Sequence, residues 1–220
     1  MQITYGPHSF AADNLIMRTR DSNKEQLVKD KAIETIVKFG LEGFTINKLA
    51  KACGISVGTP YIYYKDKDDL IIKIVMEEAG TLVRAVLRNF DPGAPLAEGL
   101  RIQWQNCSDY LSENPMAGQF FDQINSSTYH DQFLQLFNAE TGGPMSIFKH
   151  NITAFIGNAV KRGEMDEIPL EVYWSIAYSP LYSLLRFHQR GQSVAGKPFK
   201  INDGILWATF ERVVRGLKKY

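Results

Sequence analysis

Apolar residues return every third or fourth position along most of this 220-residue chain, and each run is stopped by glycine, proline or a polar cluster. That spacing gathers apolar side chains on one face of an α-helix and argues against half-buried strands, which need a period of two. Ser22-Asn23-Lys24-Glu25 has capping-box form and precedes Val28, Ala32, Ile33, Ile36 and Val37, with Gly40 placed to end the helix. Thr45 predicts the cap of a second helix carrying Ile46, Leu49, Ala50 and Cys53, closed by Gly54. Ser56 predicts the start of a third, short helix reaching Tyr64, with Ile55 and Pro60 at the two positions of a hydrophobic staple. Asp66 caps a longer helix from Lys67 to Phe90, and Asp68 and Asp69 favour the positive end of its dipole.

Further helices are expected over Leu96–Glu113, Pro115–Ile124, Tyr129–Ala139, Met145–Arg162, Leu170–Gln189 and Ile201–Lys218. The breaks between them carry Asp91-Pro92-Gly93-Ala94-Pro95, Asn114-Pro115, Ser126-Ser127-Thr128, Gly142-Gly143-Pro144, Gly163, Pro169 and the stretch Gly191 to Pro198. No alternating strand, repeat or low-complexity tract interrupts the pattern, so the fold class is all-α. With 45% hydrophobic residues the chain can bury a core. Its longest apolar stretch, Val172 to Leu185, falls short of the roughly 20 residues of a membrane span and contains Pro180. Residues 1–16 lack the basic start and apolar stretch of a signal peptide. The expectation is a cytoplasmic protein with no membrane partner, its two cysteines, Cys53 and Cys107, kept reduced.

The net charge of +1 hides an uneven distribution. Between Arg18 and Lys67 stand ten basic and six acidic residues, a net of +4; elsewhere fifteen basic and eighteen acidic residues give −3. Inside the basic segment, Thr45–Cys53 and Ser56–Tyr64 form two short helices joined by a glycine turn, the proportions of a helix-turn-helix. The second helix of such a unit enters the DNA major groove. Thr59 and Tyr63, four apart, share one of its faces, while Pro60 and Tyr64 share another, assigned to the core.

The run Leu49-Ala50-Lys51-Ala52-Cys53-Gly54-Ile55-Ser56-Val57-Gly58-Thr59-Pro60-Tyr61-Ile62-Tyr63-Tyr64-Lys65-Asp66-Lys67-Asp68-Asp69-Leu70 resembles the DNA-binding signature of TetR-family transcriptional regulators. Their pattern reads approximately I-A-x-x-A-G-V-S-x-G-T-x-Y-x-H-F-x-x-K-x-x-L, with a Thr shortly before it that Thr45 matches. The resemblance covers Lys24 to Val75 and beyond that extends only as helix number and size. It implies residues 18–75 as the helix-turn-helix DNA-binding domain, residues 76–220 as a larger helical ligand-binding and dimerisation domain, and residues 1–17 as a disordered extension, with Met17 a candidate natural start. The implied DNA contacts are Thr45, Val57, Gly58, Thr59, Tyr61, Tyr63 and Lys67. Gly58 lets backbone approach DNA, and Thr59 offers a hydroxyl to phosphate and a methyl to thymine. Tyr61 is a phosphate contact, Tyr63 stands where His is common, and Lys67 completes a phosphate site with the helix amides. Val57 replaces a frequent Lys or Gln, and Cys53 a frequent Ala, as a small buried residue.

The resemblance further implies a homodimer built on the last two helices, which carry Val172, Ile176, Leu181, Leu184 and Leu185, and Leu206, Phe210, Val213 and Leu217. A pocket for a small, largely apolar effector is expected around Trp104, Phe120, Phe121, Phe148, Asn151, Trp174 and Tyr178. The partners are then a palindromic double-stranded operator, the effector and a second copy, and the activity is repression. A helical sensor or carrier that no longer reads DNA is the alternative. His130-Asp131 and His150 have no nucleophile at motif spacing, and HExxH, GxSxG and phosphate-cradling loops are missing. No enzyme, cofactor, catalytic or metal-site residues are therefore expected.

Overall fold

A computed structural model describes residues 9–219 of the chain, with side chains described from Asn23 onward. The chain divides into two units, one ending at Ile74 and the other beginning at Val75. The first holds α1 (Ser9–Gly43), α2 (Ile46–Cys53), a 3-10 turn (Thr59–Ile62) and the start of α3 (Lys67–Val86). Along α1 the apolar stripe is buried as the spacing requires: Val28, Ala32, Ile33 and Ile36 are closed to solvent. Gly40, at φ 73° and ψ 166°, breaks the winding, and Leu41 and Phe44 turn into the same interior. Helix α2 packs on α1 and buries Leu49 and Ala50, while α3 contributes Leu70, Ile71 and Ile74.

The second unit contains α4 (Leu96–Glu113), α5 (Pro115–Asn125), α6 (Tyr129–Ala139), α7 (Pro144–Lys161), α8 (Leu170–Ala177), α9 (Ser179–Arg190) and α10 (Asp203–Leu217). Helix α4 lies at its centre, against α5, α7, α9 and α10. The core joins Leu100, Trp104, Cys107 and Leu111 of α4 to Phe155 of α7, Tyr173 of α8, Leu181 of α9 and Phe210 of α10. Asn106 Nδ2 donates to the carbonyls of Val86 (3.0 Å) and Arg88 (2.7 Å), satisfying the end of α3. Glu164 Oε2 accepts from the Leu96 N–H at 2.6 Å and caps α4, while Arg162 Nε donates to Glu164 Oε1 at 2.8 Å. Those two hydrogen bonds, the arginine's first, hold the Glu164 carboxyl below its ordinary range. Among the described residues the only β feature is an isolated bridge between Gln192 and Pro198, and no helix is long and apolar enough to cross a membrane.

Three details depart from the sequence reading. Helix α1 begins upstream of Ser22, so the capping-box residues sit inside it; residues 9–21 contain no Gly or Pro to stop the helix. Of the expected extension, residues 1–8 lie outside the described residues, and the backbone from Ser9 is helical. The helix expected over Leu170–Gln189 is two helices, broken at Tyr178 just before Pro180, whose ring occupies the first turn of α9. The Ala177 carbonyl at that break accepts a 2.8 Å hydrogen bond from Trp104 Nε1.

One close approach fixes the spacing of α4 and α7. A Cβ added to Gly99 would stand 2.5 Å from Cε2 and 2.9 Å from Cζ of the fully buried Phe155 ring. Gly99→Ala should therefore destabilise the protein by about 1–3 kcal/mol through overpacking, read from urea unfolding.

Candidate nucleic-acid interface

The reading unit is built from local backbone chemistry. Thr45, extended at φ −137° and ψ 152°, accepts the Lys48 N–H on its hydroxyl at 3.2 Å and starts α2. At the other end Gly54 adopts φ 66° and ψ 32°; its N–H reaches the Lys51 carbonyl at 3.3 Å and the Ile55 N–H reaches Ala50 at 3.0 Å. This pair is a Schellman turn, which needs a left-handed residue at Gly54. The chain then winds as overlapping three-residue turns: Thr59 N–H to Ser56, Tyr61 N–H to Gly58 and Tyr63 N–H to Pro60, at 3.0 to 3.2 Å. The α-helix expected over Ser56–Tyr64 is thus a 3-10 turn over Thr59–Ile62. Pro60 explains it, because it has no N–H to donate and restricts Thr59 before it. Asp66 Oδ1 accepts the Asp69 N–H at 2.8 Å and caps α3. Asp69 Oδ2 accepts from the Lys65 N–H and from Lys73 Nζ, each at 2.9 Å, and these bonds, the backbone one first, keep its carboxyl below the usual range.

The seven residues expected at DNA fall on this segment and its two flanks. Val57 (47% exposed) and Tyr61 (52%) face solvent, and Thr59 and Tyr63 are half-buried. Pro60 and Tyr64 are buried, as the core face requires. The Thr59 and Ser56 hydroxyls share a 2.9 Å hydrogen bond. Gly58 sits at φ −76°, and a Cβ there would meet nothing within 4 Å, so neither backbone angle nor internal packing calls for glycine. Lys67 Nζ folds back to the Leu41 carbonyl at 3.2 Å and lies 5.9 Å from the Phe44 ring centre, in the first turn of α3. Sequence reasoning passed over Ile62, which is 74% exposed and follows Tyr61 directly. It also passed over Lys48, whose Nζ donates to the Gly43 carbonyl at 2.7 Å and covers the exposed Phe39 ring at 4.9 Å. The apolar run Tyr61-Ile62-Tyr63-Tyr64 was the available signal, since four such residues cannot all face inward from a single turn.

Residues 28–74 match the family described as bacterial regulatory proteins, tetR family. That match places the first unit, residues 28–74, with the DNA-binding units of this family. An uncharacterized HTH-type transcriptional regulator from Haemophilus influenzae is 33% identical over 76 residues, which are 34% of this chain and 41% of that protein. The alignment thus spans less than half of that relative's length. A TetR-family transcription regulator from Marinobacter aquaeolei VT8 shares the fold at TM-score 0.73 and 21% identity, over 92% of this chain and all of that one. The transcriptional regulator FadR from Bacillus subtilis, solved in complex with stearoyl-CoA, does so at TM-score 0.68 and 16% identity, over 88% and 99%. The TetR family and these relatives are transcriptional regulators rather than enzymes.

The aromatic residues expected at an effector pocket divide in two. Trp104, Phe120 and Tyr178 are buried in the core, whereas Phe121 and Phe148 are partly covered and Trp174 is 36% exposed. Rings step inward from Phe137 to Phe148 (6.5 Å), Trp174 (6.0 Å), Tyr178 (4.5 Å) and Tyr173 (6.1 Å). At the inner end the Tyr178 hydroxyl donates to Gln103 Oε1, and the fully buried Gln103 Nε2 has no acceptor among the described residues. Asn151 stands apart, its amide bonded to the Ile147 carbonyl at 2.8 Å. A surface cleft of about 240 Å³ between α5 and α9 is lined by Asp122, Gln123, Asn125, Ser126, Arg186 and Arg190, none of them an expected pocket residue. Among the described residues no three His, Cys, Asp or Glu gather as a metal site.

Two glycines should behave oppositely. Gly54→Ala forces a left-handed alanine and should cost about 1–2 kcal/mol in thermal or urea unfolding. Gly58→Ala should leave stability unchanged or raised by up to about 1 kcal/mol. In gel shifts it should nonetheless weaken DNA binding about tenfold, the size of a modest overpacking penalty at the DNA surface. In the second unit, burial pushes the Cys107 thiol up to about 12 and raises the phenols of Tyr173, Tyr178 and Tyr182. These groups stay protonated in the folded state while their unfolded counterparts ionise above about pH 8.5 for the thiol and 10 for the phenols. The folded state then binds more protons, so stability should fall as pH rises through that range. Phenolate absorbance should show these three tyrosines silent until the protein unfolds.

Proposed function

We propose that the chain is a homodimeric transcriptional repressor that holds a palindromic operator and releases it when its second unit takes up a small, largely apolar effector. The observation that carries the reading is Gly58: open space around it and an unstrained backbone leave close approach of DNA as the reason for glycine. The exposed Tyr61 beside it and the cations Lys48, Lys51 and Lys65 supply phosphate contacts, with Thr45 and Lys67 at the flanks. Val57, Thr59 and Tyr63 face the groove. One such unit gives little affinity, and a two-fold dimer on a two-fold operator doubles the contact. The last helices are the elements proposed to join the copies. Leu181, Leu185, Leu206, Phe210, Val213 and Leu217 close each protomer's own core, which leaves the join to the outward faces.

The stepped rings from Phe137 to Tyr173 and the unpartnered Gln103 amide support an effector with an apolar body and a hydrogen-bond acceptor. Stearoyl-CoA, present in the Bacillus subtilis regulator, has both. Trp104, Phe120, Phe121, Phe148, Trp174 and Tyr178 belong to this region in the proposal, and Asn151 does not. The effector acts only by favouring a conformation that does not fit the operator. The setting proposed for this activity is the cytoplasm.

Gel shifts with the DNA upstream of the chain's own gene, at two salt concentrations, test the reading. Specific binding should weaken steeply with salt. Lys67→Ala should reduce the salt slope by about one phosphate contact, and Tyr61→Phe should weaken binding about two- to tenfold. Sedimentation should give the mass of two 24.9 kDa chains. Failure to retain any sequence from a random pool would replace this reading with that of a carrier that does not read DNA.

A further inference from the structure

The ten residues Ile55 to Tyr64 contain no Arg, Lys, Asn, Gln, Asp or Glu. Those are the side chains that make paired hydrogen bonds to base edges: Arg or Lys to guanine, Asn or Gln to adenine, Asp or Glu to cytosine. Of the hydroxyls, those of Ser56 and Thr59 share a 2.9 Å hydrogen bond with each other, and the exposed Tyr61 is assigned to phosphate. Tyr63 packs edge-on against the buried Tyr64, with ring centres 6.4 Å apart. Besides Tyr61, the large side chains that the segment turns outward are Val57, before the 3-10 turn, and Ile62, its last residue. Each is β-branched, hence held to few rotamers. An isolated exposed apolar residue needs no explanation. Two on the DNA-facing segment, where polar readers are missing, leave one apolar feature of the major groove for them to meet: the C5-methyl group of thymine.

We infer that this chain reads its operator through thymine methyl groups, with Ile62 and Val57 as the specificity-determining residues. The inference rests on the DNA-binding reading above and adds to it the chemistry by which sequence is told apart. Lysines placed around the segment fix the register on phosphate, and the two aliphatic side chains bury against methyls and exclude water from them. Burying one methyl group is worth about a fourfold change in affinity.

The test uses the full chain and a pool of random-sequence duplexes, from which bound sequences are selected, followed by replacement of each thymine by deoxyuridine. The exchange removes the C5-methyl group and keeps every hydrogen-bonding group of the base. Selected duplexes should share thymines at fixed places in each half-site, and deoxyuridine there should weaken binding about fourfold per position. Ile62→Ala and Val57→Ala should each weaken binding to the thymine duplex and remove the response to deoxyuridine at one position. Both side chains are exposed, and unchanged melting curves will show that the variants fold. Full affinity for the deoxyuridine duplexes, or variants that keep the whole deoxyuridine response, would overturn the inference and leave DNA binding standing. Selection of no sequence at all would overturn both.

Discussion

The backbone at Gly54 and Pro60 sets what the first unit can present. At Gly54 a left-handed residue turns the chain out of α2 within two hydrogen bonds. Six residues later Pro60 withholds the N–H that an α-helix would require, and the chain tightens into a 3-10 turn. Pro60 and Tyr64 reach the interior, while Tyr61 and Ile62 between them remain outside. An α-helical segment would have rotated each successive side chain by about 100° rather than 120° and distributed them differently.

The second unit solves a different problem, the satisfaction of polar groups in a crowded interior. Proline again opens the backbone, this time Pro180 between α8 and α9. Trp104, lodged in α4, supplies its indole N–H to Ala177 at that opening, so one side chain fills the core and closes a backbone gap. Asn106, also on α4, does the same for the end of α3. Gln103 of the same helix differs, its amide oxygen used by Tyr178 and its nitrogen unmet. Leaving a buried donor without a partner costs about 1–3 kcal/mol. A contact that costs stability in the free protein is one that a bound acceptor can recover.

How far the sequence could be read follows the range of each interaction. Thr45, Gly54 and Asp66 act within three or four residues, and their caps stand where the residue types place them. Pro60 was legible as a disturbance, but its outcome, a 3-10 turn in place of a helix, depends on Tyr64 being drawn into the interior at the same time. The start of α1 was misplaced because Ser22 offers a cap that a helix already formed upstream has no use for. The stripes on the last two helices were visible, yet a stripe does not say whose core it enters; Leu181, Leu206 and Phe210 enter their own. The pairing of Trp104 with Ala177 spans 73 residues and no local pattern announces it.

The two halves of the proposed DNA recognition fall on different residues of the first unit, and this separation has a thermodynamic consequence. The proposed contacts from Lys48, Lys51, Lys65 and Lys67 to phosphate would release counterions and so weaken with salt for every sequence alike. The proposed contacts from Val57 and Ile62 to methyl groups would exchange no ions and draw on the removal of apolar surface from water. Affinity and discrimination therefore answer to different variables. Rising salt lowers binding to operator and non-operator DNA together and leaves their ratio almost unchanged, whereas cooling weakens the methyl contacts and lowers the ratio itself. A reader built on arginine and guanine would couple the two, since its base contact carries charge as well. In this proposal the net +4 between Arg18 and Lys67 supplies the hold on DNA, and the two uncharged aliphatic side chains supply the choice among sequences.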